Sequence, residues 1–166
     1  MRTISAAFLV FVSTILTSLG GCHSPTRAQR QTEIAPVVFV CEHGNVKSLI
    51  GASLFNQVAE ERGLPFRALS RGVTPEAGVP TKIAEALRGE GVEVASFKPQ
   101  PLSSLDVSQA SRVIAIGVDL SSFSSAARVP IEVWNDVPPA SVDFAASRAA
   151  LLSHIDVMLD ELQAER

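Results

Sequence analysis

The chain has no tyrosine, one tryptophan and only two cysteines among its 166 residues. Two cysteines, Cys22 and Cys41, permit at most one bridge. If Cys22 is modified, Cys41 has no partner, and a lone thiol in an oxidising compartment must be buried or used. Basic clusters are also missing: 14 Lys and Arg against 17 Asp and Glu give a net charge of −3. That balance speaks against nucleic acid as a partner. His23 and His154 read as tether and helix surface, and no metal-ligand spacing is present. No segment repeats. The apolar run from Ala6 to Leu19 falls short of the about 20 residues of a comfortable membrane span.

What is present at the start is a processing signal. Met1-Arg2-Thr3 is a short positive region, the apolar run follows, and Gly20-Gly21 supplies small residues before a cleavage point. The string Leu19-Gly20-Gly21-Cys22 resembles the bacterial lipoprotein signal, in which the cysteine is lipidated and becomes the first residue. An ordinary signal peptide or an uncleaved anchor is the alternative. The expected organisation is a signal peptide over 1–21, a polar tether over 22–34 and a single domain over 35–166. The expected location is a membrane surface facing the periplasm or the cell exterior, held there through a lipid anchor.

The densest chemistry lies in Val37 to Ser48. Val37-Val38-Phe39-Val40-Cys41 is a continuous apolar run, as expected of a central parallel strand. Glu42-His43-Gly44-Asn45-Val46 then leads to a cation, Lys47, and a hydroxyl, Ser48, where a helical pattern begins. Strand, short loop and helix start make an anion site, because free amides point into the loop and the helix dipole favours negative charge. The same field favours a cysteine's thiolate, the nucleophilic form. Read alone, Cys41 is a small hydrophobe at a strand end; read with the loop, it is a nucleophile.

Strands alternate with helices along the rest of the chain. Ser48 to Arg62 is amphipathic through Ile50, Leu54 and Val58, with Gly63 fit to end it. Phe66 to Ser70 reads as a strand, and Thr81 as the cap of a helix through Arg88. Leu102 to Ser111 holds a short helix, and Val113 to Val118 and Val129 to Trp134 read as strands. A last helix starts near Ser141. The pattern predicts an α/β fold, an open four-stranded parallel sheet with helices on both faces. Ligands of such sheets bind beyond the carboxyl ends of the strands, where Cys41 sits.

These features together resemble the low-molecular-weight protein tyrosine phosphatase superfamily, which includes the thioredoxin-coupled arsenate reductases. The resemblance rests on Cys41 with five residues before Lys47-Ser48, on Ala68-Leu69-Ser70-Arg71-Gly72-Val73, and on the element order from Pro80 to Val118. It implies a phosphatase acting through a phosphocysteine on Cys41. The amides of Glu42, His43, Gly44, Asn45, Val46 and Lys47 would bind the oxygens. Ser48 would hydrogen-bond the sulfur, and Asp136 would protonate the leaving group. The implied substrate is a phosphorylated small molecule or a phosphoprotein, with no cofactor.

Four departures qualify what the resemblance implies. Lys47 replaces the family's arginine, a point charge in place of a planar fork. Gly44-Asn45 follows two residues after Cys41 where the family has one. Asp136-Val137-Pro138 separates the acid from its proline. No aromatic wall for a phosphotyrosine ring is identifiable, with Trp134 or Phe123 as substitutes. Asp119 is a second acid candidate with a structural role expected, and Arg71 a candidate replacement cation. The reductase branch needs two further cysteines, whose positions fall on Gly117 and near Ser124. A self-contained relay is thereby excluded. Arsenate reduction with an external thiol, or an impaired oxyanion-binding lipoprotein, remain the alternatives.

Overall fold

The computed structural model describes residues 34–166. The expected signal peptide, Cys22 and tether residues 22–33 lie outside the described residues. The elements are β1 (Val37–Cys41), α1 (Lys47–Glu61), β2 (Ala68–Gly72), α2 (Thr81–Gly89), α3 (Ser104–Gln109), β3 (Arg112–Ile116), a 3-10 turn (Ser121–Phe123), β4 (Ile131–Trp134) and α4 (Phe144–Ala164).

All strand pairs are parallel, in the order β2-β1-β3-β4. The predicted four-stranded open sheet is the fold observed. All five residues of β1 are buried, because both of its neighbours and both sheet faces are covered. Val37, Phe39 and Cys41 face one apolar cluster with Ile50 and Phe55 of α1, Leu87 of α2, and Leu151 and Ile155 of α4. Val38 and Val40 face the other, with Val107 of α3, Leu102 and Leu120. The chain goes from β1 to β2 on one side and later to β3 on the other. The carboxyl ends of β1 and β3 therefore splay into a crevice, the usual ligand position in open α/β sheets.

Several boundaries differ from the sequence reading, β3 ending at Ile116 and β4 starting at Ile131 among them. β2 runs to Gly72, because Gly72 pairs with Cys41 across the ladder. The residue before α2 is Pro80, and Thr81 is already helical and caps nothing. α4 starts at Phe144 because Asp143 accepts from the Ala146 amide at 2.9 Å and caps it. Gly63 ends α1 as expected, with φ 65° and the Leu64 amide reaching back to Ala59 O at 2.8 Å. Among the described residues no helix is long and apolar enough to cross a membrane.

Candidate active site

The loop from Cys41 to Lys47 turns its carbonyls outward. Cys41 O accepts from the Val73 amide at 3.1 Å, Glu42 O from Thr74 at 2.8 Å and His43 O from Glu76 at 3.4 Å. Gly44 O accepts from Ser70 Oγ at 3.1 Å. In a trans peptide the following N–H points opposite to the carbonyl, and no peptide here is cis. The amides of Glu42, His43, Gly44 and Asn45 therefore face inward, and among the described residues none of them donates to a protein acceptor. At the end of the loop α1 begins with Val46 as its N-cap and no capping side chain or acidic residue in its first turn. Its dipole and amides are thus left open to an anion.

Cys41 lies at the base of this ring. It is 6 % exposed, and its Sγ is 3.0 Å from the Ser48 Oγ. Ser70 Oγ lies 2.9 Å from the same Ser48 oxygen, so its single hydrogen is shared between Ser48 and the Gly44 carbonyl. A Cys41 thiolate has only lone pairs, so Ser48 must donate to it. The freed lone pairs of Ser48 then accept from Ser70, and a chain of hydroxyls ends on the sulfur. The sequence reading passed over Ser70. Its signal was period: β2 buries Ala68, Ser70 and Gly72 on one face, and a polar residue among them needs a partner.

A second loop braces the first. Asn45 is fully buried, and its Nδ2 donates to Glu76 Oε2 at 3.0 Å and to Gly78 O at 2.7 Å. His43 Nδ1 donates to Thr74 O at 3.3 Å and lies 3.6 Å from Glu76 Oε1. Gly44, at φ 69°, abuts Gly72 so closely that a Cβ on it would lie 2.7 Å from the Gly72 nitrogen. Both glycines are needed for the approach.

A cavity of about 180 Å³ stands over this ring. Cys41, Glu42, His43, Asn45, Val46 and Lys47 line it from the loop, Ile116 and Gly117 from the end of β3, and Pro139 to Ser141 from the segment after β4. Lys47 Nζ donates to Val137 O at 3.3 Å. Gly117 gives it room, since a Cβ there would lie 3.1 Å from Nζ. The loop's expected phosphate-binding residues thus meet one cavity, except that Gly44 acts through its backbone behind it.

The remaining candidates are elsewhere. Asp136 does not line the cavity; both its oxygens accept from His154 Nε2 of α4, at 2.9 and 3.0 Å. The His154 hydrogen bond holds the Asp136 carboxyl below the usual carboxylate range. Arg71 is not a replacement cation, because its guanidinium holds Asp106 of α3 at 2.8 and 3.0 Å. Trp134 is no aromatic wall: it is buried edge-on against Phe39, stacks on His154 and donates to Glu132. His154 is thus tied to β4 and not a free helix-surface residue. Phe123 packs on the cluster at the other face of the sheet. Asp119 accepts from the Ser121 amide and hydroxyl, which lower its pKa and start the 3-10 turn. No phenylalanine or tryptophan lines the cavity over Cys41.

Residues 36–126 match the model of a family described as low molecular weight phosphotyrosine protein phosphatase. The chain belongs to this family. Solved structures of the same fold include YfkJ from Bacillus subtilis, at 20 % identity and a TM-score of 0.69, covering 82 % of this chain and 99 % of that one. The thioredoxin-dependent arsenate reductase of Corynebacterium glutamicum aligns at 17 % identity and TM-score 0.62, over 84 % of this chain and 67 % of that one. The low molecular weight phosphotyrosine phosphatase VcLMWPTP-2 of Vibrio cholerae O395 aligns at 15 % and 0.61, over 79 % and 98 %. No curated protein sequence matches the chain significantly. Membership of the phosphatase family makes this protein a hydrolase-type enzyme, on a fold that phosphatases and arsenate reductases share.

Proposed function

We propose that the protein hydrolyses phosphate monoesters through a phosphocysteine on Cys41. The observation that carries this is the pairing of nucleophile and cradle. Cys41 Sγ lies 3.0 Å from a hydroxyl donor at the base of a loop whose carbonyls from Cys41 to Gly44 turn away. Phosphoryl transfer asks for this arrangement: donors around the equatorial oxygens and a nucleophile in line with the leaving group. Sγ attacks phosphorus, the bond to the leaving oxygen breaks, and water then releases phosphate from sulfur. Lys47 supplies positive charge at the wall of the cavity. The substrate is gripped by its phosphate, without a ring sandwich, since no phenylalanine or tryptophan lines the wall.

Arsenate reduction uses the same cradle and is the second reading. What weighs against it is that Cys41 is the only free cysteine among the described residues, with Gly117 and Ser124 at the relay positions. An external thiol would have to resolve the adduct. We further propose that the protein is exported and anchored to a membrane by lipid on Cys22, on the strength of Leu19-Gly20-Gly21-Cys22. The deciding experiment follows hydrolysis of an aryl phosphate by the full chain and by Cys41→Ser, with arsenate and a small thiol as a parallel assay. Cys41-dependent phosphate release supports the lead. Arsenite formation without it selects the second reading, and phosphate binding with neither leaves an oxyanion-binding protein.

A further inference from the structure

We infer that His43 donates the proton to the leaving group, in place of the displaced Asp136; the inference rests on the phosphatase reading above. The residues lining the cavity that have a titratable side chain are Cys41, Glu42, His43 and Lys47. Cys41 is the nucleophile. Lys47 donates to Val137 O. Glu42 is exposed and has no side-chain hydrogen bond or ion pair among the described residues.

His43 is held where Glu42 is not. Its Nδ1 donates to Thr74 O at 3.3 Å, so Nδ1 carries a hydrogen and Nε2 is the second nitrogen, with no protein partner among the described residues. Glu76 Oε1 stands 3.6 Å from Nδ1. Glu76 is itself fixed through its other oxygen, which accepts from the fully buried Asn45. Carbonyl and carboxylate thus hold the ring through Nδ1 and leave Nε2 for proton transfer. Being both exposed and a lining residue, His43 sits at the rim of the cavity. The sulfur attacks from the base, so an in-line leaving group departs towards the rim. The charged or titratable groups around His43 are Glu76, Glu42, Lys47 and Cys41. His43 directly precedes the glycine of the shifted Gly44-Asn45 pair.

The step balances without any further reactant. Cys41 Sγ, as thiolate, forms a bond to phosphorus. The electron pair of the breaking P–O bond goes to the leaving oxygen, which takes the proton from His43 Nε2. The neutral imidazole then removes a proton from the water that attacks the phosphocysteine, restoring the imidazolium and the thiolate as phosphate leaves.

The test uses two substrates, phenyl phosphate, whose leaving group needs a proton, and dinitrophenyl phosphate, whose leaving group does not. In the full chain, His43→Gln should lower kcat/KM for phenyl phosphate about a hundredfold, at least tenfold more than for dinitrophenyl phosphate. It should also remove the basic limb of the phenyl phosphate pH profile. Asp136→Asn should leave the ratio between substrates where it is. Equal losses on both substrates in His43→Gln would reduce His43 to a structural role. A selective phenyl phosphate loss in Asp136→Asn would return the acid to that residue. If wild type shows no Cys41-dependent turnover of dinitrophenyl phosphate, the phosphatase reading itself fails, and this inference with it.

Discussion

Gly44 and Gly72 press backbone against backbone: a Cβ on either would lie under 3.0 Å from main-chain atoms of the other's loop. The contact joins the end of β2 to the phosphate loop, and no side chain can yield to relieve it. Gly72→Ala should therefore displace the loop, with a loss of about 1–3 kcal/mol in stability. Turnover should fall more steeply than stability, because the inward amides lose their aim. Denaturant melts alongside aryl phosphate kinetics check this; wild-type kinetics in Gly72→Ala would show that the loop does not depend on the contact.

The hydroxyl chain from Ser70 through Ser48 to Cys41 predicts graded effects. Ser48→Ala removes the donor to sulfur and should slow alkylation by iodoacetate at neutral pH by about tenfold, the scale of one hydrogen bond to a charged group. Ser70→Ala should act in the same direction but less, since it touches only the serine. Inorganic phosphate should protect Cys41 in all three proteins. Unprotected alkylation would show that the amide ring does not bind anions.

Lys47 reaches Val137 O and the space left by Gly117, at the wall of the cavity. Lys47→Ala should cut kcat by about 100- to 1,000-fold, in the range of a lost oxyanion donor. Lys47→Arg should raise it, because a planar fork spans two oxygens as charge spreads over them. Phosphate inhibition should change less than kcat in both variants. Full activity in Lys47→Ala would leave the amides as the whole cradle.

Asp106 links β2 to α3. It accepts from Arg71 and from the Ser103 amide and hydroxyl, in a capping box. Burial pushes its carboxyl up, but the bonds from Arg71 and Ser103 outweigh burial and hold it below 3.8. A depressed acid stabilises the fold fully above its unfolded pKa, and the contribution is lost as pH falls through the folded value. Asp106→Asn should cost about 1–3 kcal/mol at neutral pH, and the difference from wild type should close as pH falls through the lowered folded value. Melting curves from neutral to acid pH measure it; a gap that persists in acid would assign the loss to packing.

Outside the described residues, Leu19-Gly20-Gly21-Cys22 predicts an acylated N-terminal Cys22. Mass spectrometry of the membrane fraction reads this directly, and a soluble product beginning at another residue would defeat it.

What was legible in the sequence is local. Val37 to Cys41, the loop and the start of α1 are contiguous, so the strand-end cysteine and the cradle could be read from spacing, and the Ser48 contact from the family resemblance. Gly63 announced the end of α1 for the same reason. What could not be read depends on partners distant in sequence. Gly72 joins β2 only because Cys41 lies opposite it. Arg71 is drawn away by Asp106, Asp136 by His154, and His43 is oriented by Thr74 and Glu76. Each is an ionic or polar choice among several reachable partners, and only the tertiary arrangement makes it.

Trp134 is the chain's only tryptophan, and there is no tyrosine. Its indole stacks on His154 at a centroid distance of 4.4 Å, and His154 in turn grips Asp136, just before the segment that roofs the cavity. Red-edge excited fluorescence of the unlabelled protein therefore comes from one fluorophore, set beside a quencher whose protonation and position report on that roof. The molecule carries its own optical probe of the segment that lines the cavity, readable without modification.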